Sequence, residues 1–163
     1  MSQIYEATVG QLEDVTKFLV ENWAELSNRP LARSEEKELK YWKEVYKQKR
    51  IFYYRGDHEL IISLLVLSPK NSVVTIELWS VKPQYRNQGI GSRMLQFAEK
   101  AAIMCSADEI NILFSREDEV TQFYHKFHSL GYIFQCPINQ KGNVLLEKRL
   151  KYNKNKYALI PFS

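Results

Sequence analysis

Cysteine is scarce: two in 163 residues, Cys105 and Cys136, too few for a disulfide framework. The first residues, MSQIYEATVG, show neither a basic stretch nor an apolar one, so no secretory leader is expected, and a cytoplasmic setting fits. Position 2 is serine, which excludes the glycine that N-myristoylation needs. Long apolar runs are missing too. The longest, Ile61 to Leu67, is interrupted by Ser63 and falls far short of the roughly 18 residues of a spanning helix. The three histidines form no HExxH and no Cys/His pairing, so no metal is expected. Six glycines and five prolines leave no room for a Gly/Pro/Ser linker or a collagen-like repeat.

A uniformly basic face is also lacking, despite a net charge of +4. Residues 148–163 hold Lys148, Arg149, Lys151, Lys154 and Lys156 and no acid. Without those five, residues 1–147 carry 18 bases against 19 acids. Neither nucleic acid nor a membrane surface is therefore an expected partner, and the basic end reads as a solvated tail. The remaining composition, 45% hydrophobic and 26% charged, is that of a globular chain with a sizeable core. The expected organisation is one domain over 1–150 and a short basic tail over 151–163.

The periodicity of apolar residues predicts the elements. Gln3 to Thr8 reads as a strand. Leu12, Val15, Phe18, Leu19 and Leu26 share a helical face, which Asn28-Arg29-Pro30 ends. Ser34 can cap a second helix, striped by Leu39, Trp42, Val45 and Tyr46, with Glu35 and Glu36 at its positive end. Three β-rich runs follow, Ile51 to Tyr54, Leu60 to Leu67 and Val73 to Val81, joined by turns too short for parallel neighbours. A helix starts near Gly89 with Ile90, Met94, Leu95, Ala98, Ala102 and Cys105 along one side, which predicts a packed thiol. Glu109 to Phe114 reads as a strand. Val120, Phe123, Tyr124, Phe127 and Leu130 follow helical spacing up to Gly131, and Tyr132 to Gln135 and Val144 to Leu150 close the chain as strands. Helices interleaved with a mixed sheet make the fold class α/β in the broad sense.

One segment carries chemistry: Val81-Lys82-Pro83-Gln84-Tyr85-Arg86-Asn87-Gln88-Gly89-Ile90-Gly91-Ser92. An apolar strand ends, a polar loop follows, and two glycines open a helix. The first amides of a helix have no intrahelical acceptor and stand at the positive end of its dipole, so a phosphate or pyrophosphate suits them. Arg86 and Arg93 add positive charge nearby. GxxxxGK[ST] does not occur, and GxGxxG fails because Met94 stands at its third glycine.

Arg86-Asn87-Gln88-Gly89-Ile90-Gly91 matches the [QR]xxGx[GA] signature and so resembles the GNAT superfamily of N-acetyltransferases. The preceding Ile76-Glu77-Leu78-Trp79-Ser80-Val81-Lys82-Pro83 is similar to that family's fourth strand and its exit, Phe123-Tyr124-His125-Lys126 with Leu130-Gly131-Tyr132 to its FYxKLGF segment, and Glu147-Lys148-Arg149-Leu150 to its last strand. Phe127-His128-Ser129 is an addition to that pattern. Glu117 stands where many members have asparagine, and Ile62 where they have glycine.

The resemblance implies a mixed, largely antiparallel central sheet of about seven strands with about four helices. It implies acetyl transfer from acetyl-CoA to a primary amine, directly and in a ternary complex, with no metal. The amides of Gln88, Gly89, Ile90, Gly91 and Ser92, with Arg86 and Asn87, would hold the pyrophosphate. Val81 would pair its main chain with the pantetheine arm, and Trp79 and Tyr124 would also line the cofactor. Tyr124 is the candidate acid for the leaving thiolate. Glu77, four residues before Val81 in the strand, is the candidate base, through a water relay. The acceptor is a small-molecule or peptide amine, and the assembly a monomer or homodimer. The other reading is an acyl-CoA-binding module of the same fold without catalysis, which the lengthened FY segment and Glu117 favour.

Overall fold

The computed structural model describes residues 3–22, 34–114, 125–135 and 144–150. The strands are β1 (Ile4–Glu6), β2 (Arg50–Arg55), β3 (Ile61–Lys70), β4 (Val73–Val81), β5 (Glu109–Phe114), β6 (Ile133–Gln135) and β7 (Val144–Arg149). The helices are α1 (Leu12–Glu21), α2 (Glu35–Gln48) and α3 (Ile90–Met104), and residues 125–129 are also helical. The seven strands form one sheet in the order β1-β2-β3-β4-β5-β7-β6. Among the described residues β4 and β5 form a parallel pair, while β1–β2, β2–β3, β5–β7 and β6–β7 are antiparallel, so the sheet is mixed and largely antiparallel, as the resemblance implied. Contacts divide the chain into two compact units, residues 1–68 with 78–94 and residues 69–77 with 95–163.

In the first unit β1 pairs antiparallel with β2, and β2 with β3. α1 and α2 supply Leu12, Val15, Phe18, Leu19, Trp42 and Val45 to a core shared with Ile51, Tyr53, Leu64 and Val66. That is the stripe predicted for each helix; Leu26 and the break at residues 28–30 lie outside the described residues. Ser34 caps α2 as expected, its hydroxyl accepting the Lys37 amide at 3.4 Å. The stripe did not announce Glu38, which α2 buries beside its apolar residues. β1 is shorter than the predicted Gln3 to Thr8, because the Gln11 carboxamide takes the Thr8 amide at 2.7 Å and turns the chain into α1.

In the second unit the start of β4 pairs with β5 from Val73↔Glu109 to Ile76↔Ile112. β5 pairs antiparallel with β7, and β7 with β6. Tyr132 is fully buried and donates to Glu99 Oε1 at 2.8 Å, while Lys148 Nζ meets both oxygens of Glu99 at 3.2 Å. One carboxylate thus ties α3 to the residue before β6 and to β7. Burial and the Glu99 charge push the Tyr132 phenol up from its ordinary value, so it remains a donor.

Three expectations are corrected here, for one reason. Cys105 is exposed, not packed. α3 ends at Met104 in a Schellman turn: Ser106 takes φ +61°, its amide reaches Ile103 O at 2.9 Å, and the Ala107 amide reaches Ala102 O at 3.0 Å. That turn puts Ala107 into the core in place of Cys105. The same device ends the helical residues 125–129. Gly131 takes φ +94°, and its amide and that of Tyr132 bond to His128 O and Phe127 O, both at 3.0 Å. Tyr132 is swung inward, and Leu130, predicted on the apolar stripe, is left exposed. β6 consequently starts at Ile133 and not at Tyr132.

Candidate active site

The segment singled out by its glycines lies wholly within the first unit from Leu78 to Met94. β4 ends at Val81, and Lys82 donates its amide to Ile62 O of β3 at 2.9 Å. Pro83–Tyr85 makes a single 3-10 turn, closed by the Arg86 amide on Pro83 O at 3.2 Å. Asn87 (φ +62°) and Gly89 (φ +81°) then take the left-handed conformation that folds the loop back into α3. The first helical bond runs from the Arg93 amide to Gly89 O at 3.0 Å. The amides of Ile90, Gly91 and Ser92 therefore stand outside the helical ladder, at the positive end of a 15-residue helix.

The two glycines have different jobs. A Cβ on Gly89 would meet nothing within 4 Å, so the space before the amides is open. A Cβ on Gly91 would lie 3.6 Å from Trp79 Cζ2 and 3.7 Å from Val81 Cγ2. At those ordinary contact distances the first turn of α3 packs on β4 with room for a methyl, and Ile90 and Met94 are buried beneath. No acid occurs between Lys82 and Arg93, and three cations do. Arg86 donates Nε to Val81 O at 3.0 Å, tying the loop to the end of the strand. Arg93 donates Nη1 to Tyr54 Oη at 3.2 Å, and Tyr54 in turn bonds Gln3. Lys82 folds inward, 5.8 Å from the Phe18 ring and 3.9 Å from Glu21.

Of the residues predicted for the site, Trp79, Val81, Arg86, Asn87, Gln88, Gly89, Ile90, Gly91 and Ser92 are gathered in this one place. Glu77 is half-buried on β4 and belongs to the second unit. Tyr124 and Glu117 lie outside the described residues. The added Phe127-His128-Ser129 forms the last helical turn, with the Phe127 ring 5.6 Å from Phe114 and 6.0 Å from Tyr132. Tyr54 was missed as the partner of Arg93, since the pair is 39 residues apart and no local pattern marks it. Among the described residues no group of His, Cys, Asp and Glu is placed to hold a metal ion, and no helix is long and apolar enough to cross a membrane.

A second polar arrangement, in the other unit, was not anticipated. Glu109 of β5 shares a hydrogen bond with Glu147 of β7. Burial pushes the Glu109 carboxyl up to about 7, the bond to Glu147 and its charge add to the rise, and Arg149 opposes it.

Residues 13–132 match the acetyltransferase (GNAT) family. No curated protein matches the chain in sequence. Among solved structures, a GNAT-family acetyltransferase from Staphylococcus aureus Mu50 is 16% identical, with a TM-score of 0.70 over 91% of this chain and 98% of that one. The PaiA N-acetyltransferase of Thermoplasma acidophilum, in complex with coenzyme A, is 18% identical, with a TM-score of 0.67 over 92% and 100%. The phosphinothricin acetyltransferase of Sinorhizobium meliloti, in complex with acetyl-CoA, is 12% identical, with a TM-score of 0.69 over 90% and 87%. Likeness at such identities speaks for the fold alone, whereas the family match spans most of the sequence and includes the loop that opens α3. The chain belongs to the acetyltransferase (GNAT) family.

Proposed function

We propose that this protein is an acetyl-CoA-dependent N-acetyltransferase that moves the acetyl group directly to a primary amine within a ternary complex. The observation that carries the reading is the mouth of α3: three amides outside the helical ladder, open space before Gly89, and no acid from Lys82 to Arg93. These residues fit a pyrophosphate, which needs donors, positive charge and close backbone approach. The coenzyme A and acetyl-CoA bound to the Thermoplasma and Sinorhizobium proteins agree with it. Bound acetyl-CoA supplies an acetyl group already activated as a thioester.

The chain's own groups do the rest. Gln88 to Ser92 bind the pyrophosphate through their amides. Arg86 holds the Val81 carbonyl, which fixes the end of β4 for main-chain pairing with the pantetheine arm and for polarising the thioester oxygen. An alkylammonium, with a pKa near 10.4, must lose a proton before it attacks, and Glu77 takes it through water. Tyr124 returns a proton to the departing thiolate.

Acetyl-CoA should raise the Tm of the protein, because it binds the folded state alone. Gly89→Asp places a carboxylate in the open space before the amides and should abolish that shift. Gly91→Ala, whose Cβ finds ordinary contact distances, should keep it. An unchanged shift in Gly89→Asp would remove the anion site. With a panel of amines, CoA thiol release identifies turnover; binding without release from any amine would leave only the non-catalytic module. Tyr124→Phe should then lower the single-turnover rate by roughly tenfold to a hundredfold, the low end for general acid catalysis, since a thiol with a pKa near 8.5 leaves readily. A full rate in that variant would end the acid assignment.

A further inference from the structure

Arg55, at the end of β2, is a half-buried cation with no ion-pair partner among the described residues. Its guanidinium lies 5.4 Å from the Tyr53 ring and 5.8 Å from the Tyr5 ring, and those rings stack on each other at 5.6 Å. Nη2 donates to Tyr53 Oη at 3.3 Å, and Nε is shielded from solvent without an acceptor. The backbone is held as firmly. The Arg55 amide bonds to Gln3 O at 3.0 Å, and the Gly56 amide to Leu60 O at 3.0 Å. Ring contacts orient a guanidinium but satisfy few of its N–H donors, which form a planar fork suited to a carboxylate. By contrast, Arg50 pairs with Glu6 and Lys82 with Glu21.

The place matters as much as the charge. Arg55 pairs with Ile61 of β3, and the next residue, Ile62, accepts the Lys82 amide directly after Val81. The Arg55 backbone is therefore two strand spacings, roughly 10 Å, from the end of β4, and its side chain leans over Tyr5 of β1. From this we infer that Arg55 is the acceptor-recognition residue, binding a carboxylate carried by the amine substrate, so that the acceptor class is amino-acid-like and not a simple polyamine. The inference rests on the acetyl-transfer reading for the meaning of the site, but its binding step is measurable without acetyl-CoA.

The test uses amines matched with and without a carboxylate: L-lysine with cadaverine, L-ornithine with putrescine, and L-phenylalanine with phenethylamine. Calorimetric binding to the full chain, without acetyl-CoA, should favour a carboxylated member over its partner. Arg55→Gln should weaken that member by about tenfold to a hundredfold, the range for a charge-assisted hydrogen bond, and leave its partner unchanged. Arg55→Lys keeps the charge but loses the fork, and should recover only part of the preference. In turnover the loss should appear in KM, with kcat little changed. No binding by any carboxylated member, equal binding within every pair, or a preference untouched in both variants would overturn the inference. So would a lower Tm of Arg55→Gln with its selectivity intact, for Arg55 would then only brace the two rings. Failure of the acetyl-transfer reading is seen separately, as no thiol release from any amine.

Discussion

Glu109 shows what burial and one neighbour do to a common residue. Its carboxyl is pushed up to about 7 by burial and by Glu147, against an ordinary 4.5. The folded chain therefore keeps a proton that the unfolded chain has released, and stability should fall as pH rises from about 4.5 towards 7, then level off. Glu109→Gln preserves the hydrogen bond and removes the titration, so its Tm should exceed that of the parent at pH 8 and match it near pH 4. For a partly exposed pair the difference should be on the order of 1 kcal/mol. Thermal melts from pH 4 to 8 measure it; parallel curves for the two proteins would exclude the pair as its source. Gly56 and Ile62 make a quieter residue-scale contact: a Cβ on Gly56 would come within 3.1 Å of the Ile62 side chain, so the turn before β3 has little room for anything but glycine.

At the scale of elements, α3 is defined by its two ends. Its beginning was legible in the sequence, because Gly89 and Gly91 after a strand mark a helix opened for close approach. Its end was not, because Ser106 is no stop signal and the stripe of Ile90, Met94, Ala98 and Ala102 continues formally to Cys105. Backbone bonds into Ile103 O and Ala102 O decided it. A serine held at φ +61° is strained where glycine is at ease, so Ser106→Gly should stabilise the protein by about 0.5–1 kcal/mol. For a chain of this size that is roughly 1–4 °C in Tm. A lower Tm would mean that the serine side chain contributes more than its strain costs.

For the whole molecule, the charge distribution and the position of β7 bear on the basic end. The described chain ends one residue past β7, where the Leu150 amide bonds to Asp108 O at 2.9 Å. The loop that opens α3 lies some 60 residues upstream. Truncation after Tyr152 should leave the acetyl-CoA shift in Tm unchanged, and loss of that shift would assign the tail a part in binding. The same cut removes Ile160 and Phe162, so a large fall in the Tm of the free protein would show that the tail packs. By itself the sequence determined the kinds and order of the elements and the strand-to-helix loop where the anion site is proposed, because apolar period, turn residues and helix-opening glycines are local and act within a few residues. Only tertiary structure decided that Arg93 meets Tyr54, that Glu109 meets Glu147, and that Arg55 lies against two stacked tyrosines with no ion-pair partner among the described residues. Each joins residues far apart in the chain or on different strands, where strand register sets who meets whom and no periodicity records it.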